Sequence, residues 1–320
     1  MRTDVHQHLW GAAFVETLRT RTSVPRLDGW TLHLGGEAPY DVDPVVHGIA
    51  RRVVLAREDG FDRVLTSLSS PLGVEWLPPD DARTLLDAYH EDALALPAPF
   101  GAWAAAGLTE IDVAGLSRVL DRGLAGLQLP ATALLDEAGY DRCGALLALL
   151  EERELPLFVH PGSVPPARGP HSWSLARLTR STGARPTWPP TASDSSPAWW
   201  PALVPYVQQM HASWFAFRAY GRPRHSRLRV CFALLAGLAP LHGERLAARG
   251  GGRGELDRNA FVETSSYGPR AVDATMRALG IDTIVCGSDR PYARPTGDFG
   301  LGDAAEHAIR VANPGRLLMR

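Results

Sequence analysis

Lysine is absent from this sequence, so all 33 of its Lys or Arg positions are arginines. Without a lysine amine the chain cannot form a Schiff base with a carbonyl substrate or with pyridoxal phosphate. It also lacks the lysine of a phosphate-binding Gly-x-x-x-x-Gly-Lys loop, and it cannot form a carbamylated lysine that bridges two metal ions. If the chain binds a metal, we therefore expect a single ion.

The sequence also has few cysteines, a small net charge and no long apolar runs. Cys143, Cys231 and Cys286 lie far apart in apolar segments, which favours reduced thiols over a disulfide framework. A net charge of −2 without a basic stripe predicts no nucleic-acid and no membrane partner, but leaves a small-molecule substrate open. The longest apolar stretches reach about half of the ~20 residues that a membrane span needs, and no signal-peptide pattern is present. We expect a soluble, cytoplasmic protein.

Apolar runs of strand length alternate with stretches of helical period along the chain. Eight such runs occur, at 3–8, 63–68, 100–106, 125–129, 156–160, 229–235, 260–265 and 283–287. Runs rich in Val, Leu, Phe and Ala between helices are typical of βαβ units with a parallel sheet covered on both faces. Eight units predict an α/β fold, a (β/α)8 TIM barrel forming one domain over residues 1–320. An open doubly wound sheet is the alternative.

Three long connections interrupt this alternation. The first, at about 11–62, follows strand one, and its segment 30–36 predicts a small hairpin or flap. The second, at 67–73, carries hydroxyls that suit either a polar pocket or a plain turn. The third, at about 162–201 after strand five, is rich in Pro, Ser and Trp. Its aromatic content argues against disorder, so we interpret it as a lid or, preferably, as an oligomer contact that predicts a homodimer.

Side chains that can bind a metal stand at the ends of three predicted strands. His6 and His8 lie on one face at the end of the first strand, because side chains alternate along a strand. His160 ends the fifth strand and Asp289 follows the eighth. The active site of a (β/α)8 barrel lies at the C-terminal ends of its strands, so these four groups are predicted to meet at one rim. We expect one divalent ion there, zinc first, with manganese and other metals as alternatives.

With these motifs in place, the chain resembles the amidohydrolase superfamily. Within it, the similarity is to the amidohydrolase-related branch that contains aminocarboxymuconate-semialdehyde decarboxylase and other aromatic-acid decarboxylases. The matching segments are His6-x-His8, the His-Pro at 160–161, the Gly-Ser-Asp-Arg-Pro at 287–291 and the sixth strand at 228–233. The resemblance implies a mononuclear site held by His6, His8, His160 and Asp289. It also implies that the metal activates a water and that Asp289 helps to move its proton.

One position departs from the family pattern. The sixth strand of the family ends in a histidine that assists the metal-bound water or polarises the substrate, and Leu234 stands at that place here. Loss of such a group typically lowers a rate by ~10²–10⁴-fold. His242 is a candidate replacement, although a position on the following helix is the simpler interpretation. Further candidates for substrate binding are His33, Tyr267 and Arg290, of which the last equally suits a structural ion pair.

Three functions fit these residues. The first is a metal-dependent hydrolase that acts on a small carbonyl substrate through a metal-activated water, with Asp289 as base. The second is a non-oxidative decarboxylase of an aromatic or unsaturated acid, which predicts that Arg290 points into the pocket and which the missing histidine weakens more. The third is a catalytically reduced barrel that binds a metal or ligand, which the retention of the metal ligands disfavours. The sequence favours the hydrolase.

Overall fold

The computed structural model describes residues 1–35, 37–164, 197, 199–251 and 256–319. Its strands, in chain order, are β1 Thr3–Gln7, β2 Arg26–Asp28, β3 Thr31–His33, β4 Tyr40–Asp41, β5 Arg63–Thr66, β6 Phe100–Ala102, β7 Leu127–Pro130, β8 Leu157–His160, β9 Val230–Phe232, β10 Ala260–Glu263 and β11 Ile284–Val285. Its α-helices are α1 Ala12–Thr20, α2 Ile49–Glu58, α3 Pro79–Leu94, α4 Val113–Asp121, α5 Glu137–Glu152, α6 Trp200–Leu203, α7 Pro205–Ala216, α8 Arg222–Arg224, α9 Gly243–Leu246, α10 Pro269–Leu279, α11 Asp303–His307 and α12 Asn313–Leu318.

Eight strands, β1 and β5 to β11, pair in parallel and form two sheets. One sheet has the order β1-β5-β6, and the other has the order β11-β10-β9-β8-β7. Strands β7 to β10 are buried at every residue, as expected where helices cover a parallel sheet on both faces. The predicted α/β class with parallel strands is confirmed.

Backbone hydrogen bonds join the two sheets at both of their edges. At one edge, the Ala104 amide donates to the Gly126 carbonyl over 2.8 Å, beyond the end of β6. At the other edge, the Val5 amide of β1 donates to the Cys286 carbonyl, just after β11, over 2.9 Å. The first and the last parallel strands therefore lie side by side, and their C-terminal ends open on the same side of the molecule.

An aromatic pair fills the centre of the core beneath these strand ends. Trp103 is fully buried and stacks on Phe158 of β8, with ring centroids 5.2 Å apart. The Trp103 indole N–H donates to the Val5 carbonyl of β1 over 2.9 Å, so the large ring is buried with its polar atom satisfied. The His6 ring lies 5.0 Å from Phe158, measured between centroids. The pair thus supports the floor on which the functional residues of β1 and β8 stand.

The long connections differ in how much of them the structure describes. The flap predicted at about 11–62 contains the antiparallel sheet β2-β3-β4, between α1 and α2. Most of the insert predicted at about 162–201, including Trp173 and Trp188, lies outside the described residues. The homodimer that it suggested stays a prediction. Among the described helices, none is long and apolar enough to cross a membrane.

Candidate metal centre

Three histidines and an aspartate come together at the C-terminal ends of β1, β8 and β11. His6 lies in β1, His8 directly follows it, His160 ends β8 and Asp289 lies shortly after β11. One ligand atom from each of the four lies within 4.8 Å of the other three. The Nε2 atoms of His6 and His8 are 3.1 Å apart, and Asp289 Oδ1 lies 3.2 Å from His8 Nε2. The structure thus brings together the four side chains that the sequence predicts as metal ligands.

The tautomer of each imidazole follows from its outer contact. Each Nδ1 faces an oxygen acceptor: His6 Nδ1 lies 3.1 Å from Glu263 Oε1, His8 Nδ1 lies 2.9 Å from the Ser67 carbonyl and His160 Nδ1 lies 2.8 Å from the Pro161 carbonyl. A proton on each Nδ1 satisfies these acceptors and leaves a lone pair on each Nε2. Three lone pairs and a carboxylate oxygen then face one another without a proton between them. A cation satisfies such a set, and nitrogen and oxygen donors of this kind suit a divalent transition metal.

The electrostatic environment favours neutral imidazoles at two of the three positions. Burial lowers the pKa of His160 well below its ordinary value, and the neighbouring His6 and His8 lower it further. Burial also lowers the pKa of His8. At His6, burial is the largest influence and opposes the charge, but the carboxylates of Glu263, Asp289 and Asp4 together outweigh it and raise the pKa. Metal ligands must be deprotonated, so the site is suited to bind a cation at neutral pH, with Glu263 increasing the basicity of His6.

Glu263 is a functional residue that the sequence analysis missed. It ends β10, is fully buried, and accepts a hydrogen bond from His6 Nδ1. Its carboxylate also accepts hydrogen bonds from the Leu234 amide at 2.9 Å and from the amide and the hydroxyl of Ser265, both at 2.6 Å. The signal in the sequence is a charged residue at the C-terminal end of an otherwise apolar strand. A buried carboxylate at such a place needs partners, and here one partner is a metal-ligand candidate.

Arg52 of α2 fixes the two segments that carry His8 and Asp289. This buried guanidinium donates to the His8 carbonyl over 2.7 Å and to the Arg290 carbonyl over 3.3 Å. Asp289 itself adopts φ 58°, in the left-handed region that aspartate enters more readily than most residues. The guanidinium therefore holds the backbone on both sides of the site in the conformation that turns the Asp289 side chain toward the histidines.

A cavity of about 610 Å³ opens above the four side chains. Its walls come from the flap, from the loop after β5, from α6 and α7 and from the segments after β10 and β11. Most of the lining is apolar or aromatic, with Trp10, Tyr40, Tyr206, Tyr267 and Tyr292 among its residues. The Tyr292 ring contacts His8, with centroids 5.4 Å apart. A cavity of this size and lining has room for a small organic molecule beside the candidate metal centre.

Solved structures with the same architecture are similar to this chain at low sequence identity. The 5-carboxyvanillate decarboxylase of Sphingomonas paucimobilis is 20% identical, with a TM-score of 0.68 over 99% of this chain and 98% of that one. The 5-carboxyvanillate decarboxylase of Novosphingobium aromaticivorans, complexed with manganese, is 16% identical, with a TM-score of 0.69 over 100% of this chain and 96% of that one. A structure described as amidohydrolase II is 16% identical, with a TM-score of 0.69 over 100% of both chains. No protein-family model and no curated protein matches the sequence.

The chain has the fold of these structures, which include two decarboxylases and an amidohydrolase II. The resemblance predicted from the strand-end motifs is confirmed at the level of the fold. The structure also shows how the departure at the sixth strand is built. Leu234 follows β9 and lines the cavity, while its amide donates to Glu263. Where the superfamily pattern has an imidazole, this chain thus has an apolar side chain and a backbone contact to the carboxylate that orients His6.

His242 does not occupy the position left by that imidazole. Residues 234–238 form a left-handed turn, with φ between 47° and 59°, and α9 begins at Gly243, directly after His242. His242 lies at the end of this segment, is exposed, and contacts His211 of α7, with ring centroids 5.1 Å apart. It does not line the cavity. The predicted replacement by His242 therefore finds no support in its position.

The three predicted substrate-binding residues have different positions. Tyr267 lines the cavity, and burial followed by the nearby Glu263 raises the pKa of its hydroxyl. Arg290 is turned away and pairs with Asp59 through Nη2 and Oδ2 at 2.6 Å, which matches the structural ion pair considered from the sequence. The position inside the pocket that the decarboxylase interpretation predicts for Arg290 is therefore not observed. His33 lies in β3, and neither it nor Arg290 lines the cavity. Of these three, Tyr267 alone has the position that its predicted role requires.

Proposed function

We propose that this protein is a metal-dependent decarboxylase of a small aromatic or unsaturated carboxylic acid. The observation that carries the proposal is the convergence of three imidazole lone pairs and the Asp289 carboxylate at the base of a cavity with aromatic walls. The likeness in fold to two 5-carboxyvanillate decarboxylases, one complexed with manganese, supports this reaction class. We further propose that the eight parallel strands close into the predicted (β/α)8 barrel, since hydrogen bonds join the two sheets at both edges.

His6, His8, His160 and Asp289 would hold one divalent ion. A transition metal bound by such donors supplies Lewis acidity that draws electron density from substrate oxygens. Three imidazoles and one carboxylate suit manganese and zinc alike, so the donor set does not distinguish the two metals and a metal analysis is needed. Glu263 keeps His6 in the tautomer that presents Nε2 to the ion, and the Ser67 carbonyl does the same for His8.

The chain's own residues supply the proton that the reaction needs. In decarboxylation the bond between the ring carbon and the carboxylate carbon breaks, carbon dioxide leaves, and the electron pair stays on the ring carbon. One proton must then reach that carbon. Asp289 lines the cavity and keeps 18% of its side-chain surface exposed, so the oxygen that faces away from the metal could take a proton from solvent. Asp289 would deliver that proton to the ring carbon and regain one from solvent after the product leaves. The aromatic walls would hold the ring and exclude water from the carbanion.

The sequence alone counts the absence of the histidine at Leu234 more heavily against decarboxylation than against hydrolysis, but the number of proton transfers in each reaction reverses that judgement. Hydrolysis requires a proton to be taken from water and another to be given to the leaving group, and a histidine near the metal assists both steps. Decarboxylation requires one proton delivered to one carbon. With Leu234 at the sixth-strand position, the described lining offers Asp289 beside the ligands and no imidazole outside the three of the candidate centre.

A hydrolase of a neutral carbonyl substrate is the second candidate. The observation in its favour is that the described part of the cavity lining contains no arginine to pair with a substrate carboxylate, and the chain contains no lysine. Asp289 would then serve as the base toward water. In this version the cavity binds an ester, lactone or amide, which needs no cationic partner.

The test uses full-length protein loaded separately with Mn²⁺ and with Zn²⁺. Hydroxybenzoates and 5-carboxyvanillate are assayed for carbon dioxide release, and aryl esters, lactones and amides are assayed for hydrolysis. We expect carbon dioxide release from at least one acid, with a loss of about 10²-fold or more in Asp289→Asn at matched metal content. His242→Ala is the control and should retain activity. Hydrolysis without carbon dioxide release would contradict the decarboxylase and support the hydrolase. Metal binding without either reaction would overturn both.

A further inference from the structure

The cavity has a second polar end, away from the candidate metal ligands, and its charge is negative. Glu37, in the flap between β3 and β4, lines the cavity together with the neighbouring Tyr40. Among the described lining residues, the carboxylates are those of Asp289 and Glu37, and no arginine side chain accompanies them. Asp289 belongs to the candidate metal centre. Glu37 is therefore a charged group whose role the proposed reaction does not account for.

A hydrogen bond from α7 holds Glu37 in this place. The Tyr206 hydroxyl donates to Glu37 Oε1 over 2.8 Å, across a sequence separation of 169 residues. Both residues line the cavity, so the contact joins the flap to α7 directly above it. Among the described residues, no hydrogen-bond donor contacts the second oxygen, Oε2. A carboxylate that is positioned through one oxygen keeps the other as an acceptor for a ligand.

Tyrosines connect this end of the cavity to the metal end. Tyr292 contacts the His8 ring, and the hydroxyls of Tyr292 and Tyr40 are close enough to affect each other's pKa. Tyr40, in turn, lies close enough to Glu37 and Tyr206 to interact with both electrostatically. Tyr292 and Tyr40, which both line the cavity, thus relate Glu37 to the metal end. A ligand in this cavity would face the candidate metal centre and Glu37 together.

Glu37 is partly removed from water, so its carboxylate is less stable when no ligand donates a hydrogen bond to it. Burial raises the pKa of the Glu37 carboxyl, and the Tyr206 hydroxyl opposes this by donating to it. A partly desolvated carboxylate gains most from a donor or a positive charge, and it repels a second carboxylate. Substrates with two distant carboxylates are therefore disfavoured at this end.

We propose that Glu37, positioned by Tyr206, is a specificity-determining residue. It accepts a hydrogen bond from a donor group, a hydroxyl or an ammonium, at the end of the ligand remote from the candidate metal centre. The inference rests on the proposed function, because it takes the metal centre as the anchor for the ligand's other end. The inference narrows the substrate class to aromatic or unsaturated acids that carry a hydroxyl or an ammonium group at the end remote from the candidate metal centre. Acids with a second carboxylate at that end are excluded.

Four matched groups on two scaffolds, eight probes in all, test this. They are benzoates that carry a methyl, hydroxymethyl, aminomethyl or carboxylate group at position 4, and biphenyl-4-carboxylates that carry the same four groups at the far end. Dissociation constants are measured by calorimetry at pH 8, where the carboxylates are ionised, with Mn²⁺-loaded protein. In at least one scaffold we expect the aminomethyl probe to bind about tenfold or more tighter than the carboxylate probe, with the methyl probe between them. Equal affinities, or tightest binding of the dicarboxylate, in both scaffolds would overturn the inference.

Variants assign the preference to Glu37. Glu37→Gln should reduce the ratio between aminomethyl and carboxylate probes to within about threefold, since the amide carries no charge. Glu152→Gln, an exposed position at the end of α5, changes the net charge equally and should leave the ratio unaltered. Tyr206→Phe removes the donor to Oε1 but leaves the carboxylate in place, so it should keep the preference for the aminomethyl probe. A ratio that is unchanged in Glu37→Gln would contradict the assignment.

The design separates this inference from the proposed function. Affinity of the methyl probe in His160→Ala and after metal removal reports whether the ligand is anchored at the metal centre. If that affinity is unchanged, the metal-anchored part of the proposed function fails, while the ratio between probes still tests Glu37. If binding of the methyl probe requires the metal, but Glu37→Gln leaves the ratio between aminomethyl and carboxylate probes unchanged, the proposed function stands and the inference is wrong.

Discussion

Glu75 and Glu263 are both fully buried, yet their surroundings differ in kind. Glu263, at the end of β10, accepts hydrogen bonds from His6, from the Leu234 amide and from two groups of Ser265. Glu75, in the loop after β5, accepts one from the Ser70 hydroxyl, and its second oxygen finds no donor in the described part of the chain. The first carboxylate is fully partnered and the second is not.

The contrast shows what a buried carboxylate needs if it is to serve a site. The hydrogen-bond donors around Glu263 compensate for the desolvation of its carboxylate and allow it to orient His6, a candidate metal ligand. Burial instead raises the pKa of Glu75 to about 7, so its charged form is disfavoured in the folded protein. We expect Glu263 to contribute to binding and Glu75 to reduce stability at alkaline pH. The same substitution, glutamate to glutamine, should then have opposite effects at the two positions.

The largest effect is expected for Glu263→Gln. Its amide group would face at least one of the donors that now point at the carboxylate, which leaves buried polar groups unpaired. We expect the free energy of unfolding to fall by about 3–5 kcal/mol and metal affinity to fall by about 10–100-fold. Chemical denaturation and metal titration measure the two quantities. Unchanged metal affinity in a folded variant would remove Glu263 from the account of the metal centre.

Glu75→Gln is expected to stabilise the protein at pH 8. The ordinary pKa of the carboxyl is 4.5 and the folded value is about 7, so between these values the unfolded state loses its proton first. The free energy of unfolding therefore falls as pH rises through this window, by up to about 3 kcal/mol, and then stays constant. Glutamine has no proton to lose and avoids the fall. Denaturation curves should separate wild type and variant at pH 8 and nearly coincide at pH 4.5.

A wild-type protein that is as stable as Glu75→Gln at pH 8 would contradict this. It would mean that Glu75 is ionised at little cost, and that the two buried glutamates do not differ in the way described. The pH dependence is the control, because a general packing effect of the substitution would appear equally at both pH values.

Serine-to-alanine changes give the smallest and sharpest comparison. Ser265→Ala removes one of the donors to Glu263, so we expect a loss of about 1–2 kcal/mol in the free energy of unfolding. Ser70→Ala removes the donor to Glu75, which should raise the pKa of that carboxyl further and widen the pH window in which stability falls. Stability measured from pH 5 to 9 distinguishes the two. Identical pH profiles for both variants would mean that the two environments are alike.

The sequence predicts the ligand set because simple rules connect strand ends with the site. His6, His8, His160 and Asp289 each stand where an apolar strand stops, and parallel strands place such positions at one rim. Glu263 obeys the same rule, so it was predictable in principle: a lone charge at the end of an apolar strand is the signal. The alternation of strands and helices likewise predicts the α/β class without any tertiary information.

Contacts between distant loops are what the sequence could not provide. The Glu37–Tyr206 hydrogen bond and the Arg290–Asp59 ion pair each join segments more than 160 residues apart, with no periodic pattern that relates them. The left-handed turn at 234–238 is equally hidden, because Leu and Ala rarely adopt positive φ and the segment has the composition of a helix. The turn redirects the chain before the helix begins, and His242 lies at that helix and outside the cavity lining, as the simpler interpretation of the sequence has it.

The most direct test of the metal centre is elemental analysis of purified protein after reconstitution with Mn²⁺ or Zn²⁺. Wild type, His160→Ala and His242→Ala are compared, the last being a matched histidine that is exposed and outside the cavity. The account predicts one ion per chain in wild type and in His242→Ala, and loss of that ion in His160→Ala. Wild-type protein that holds no stoichiometric metal, or His160→Ala that holds as much as wild type, would contradict it.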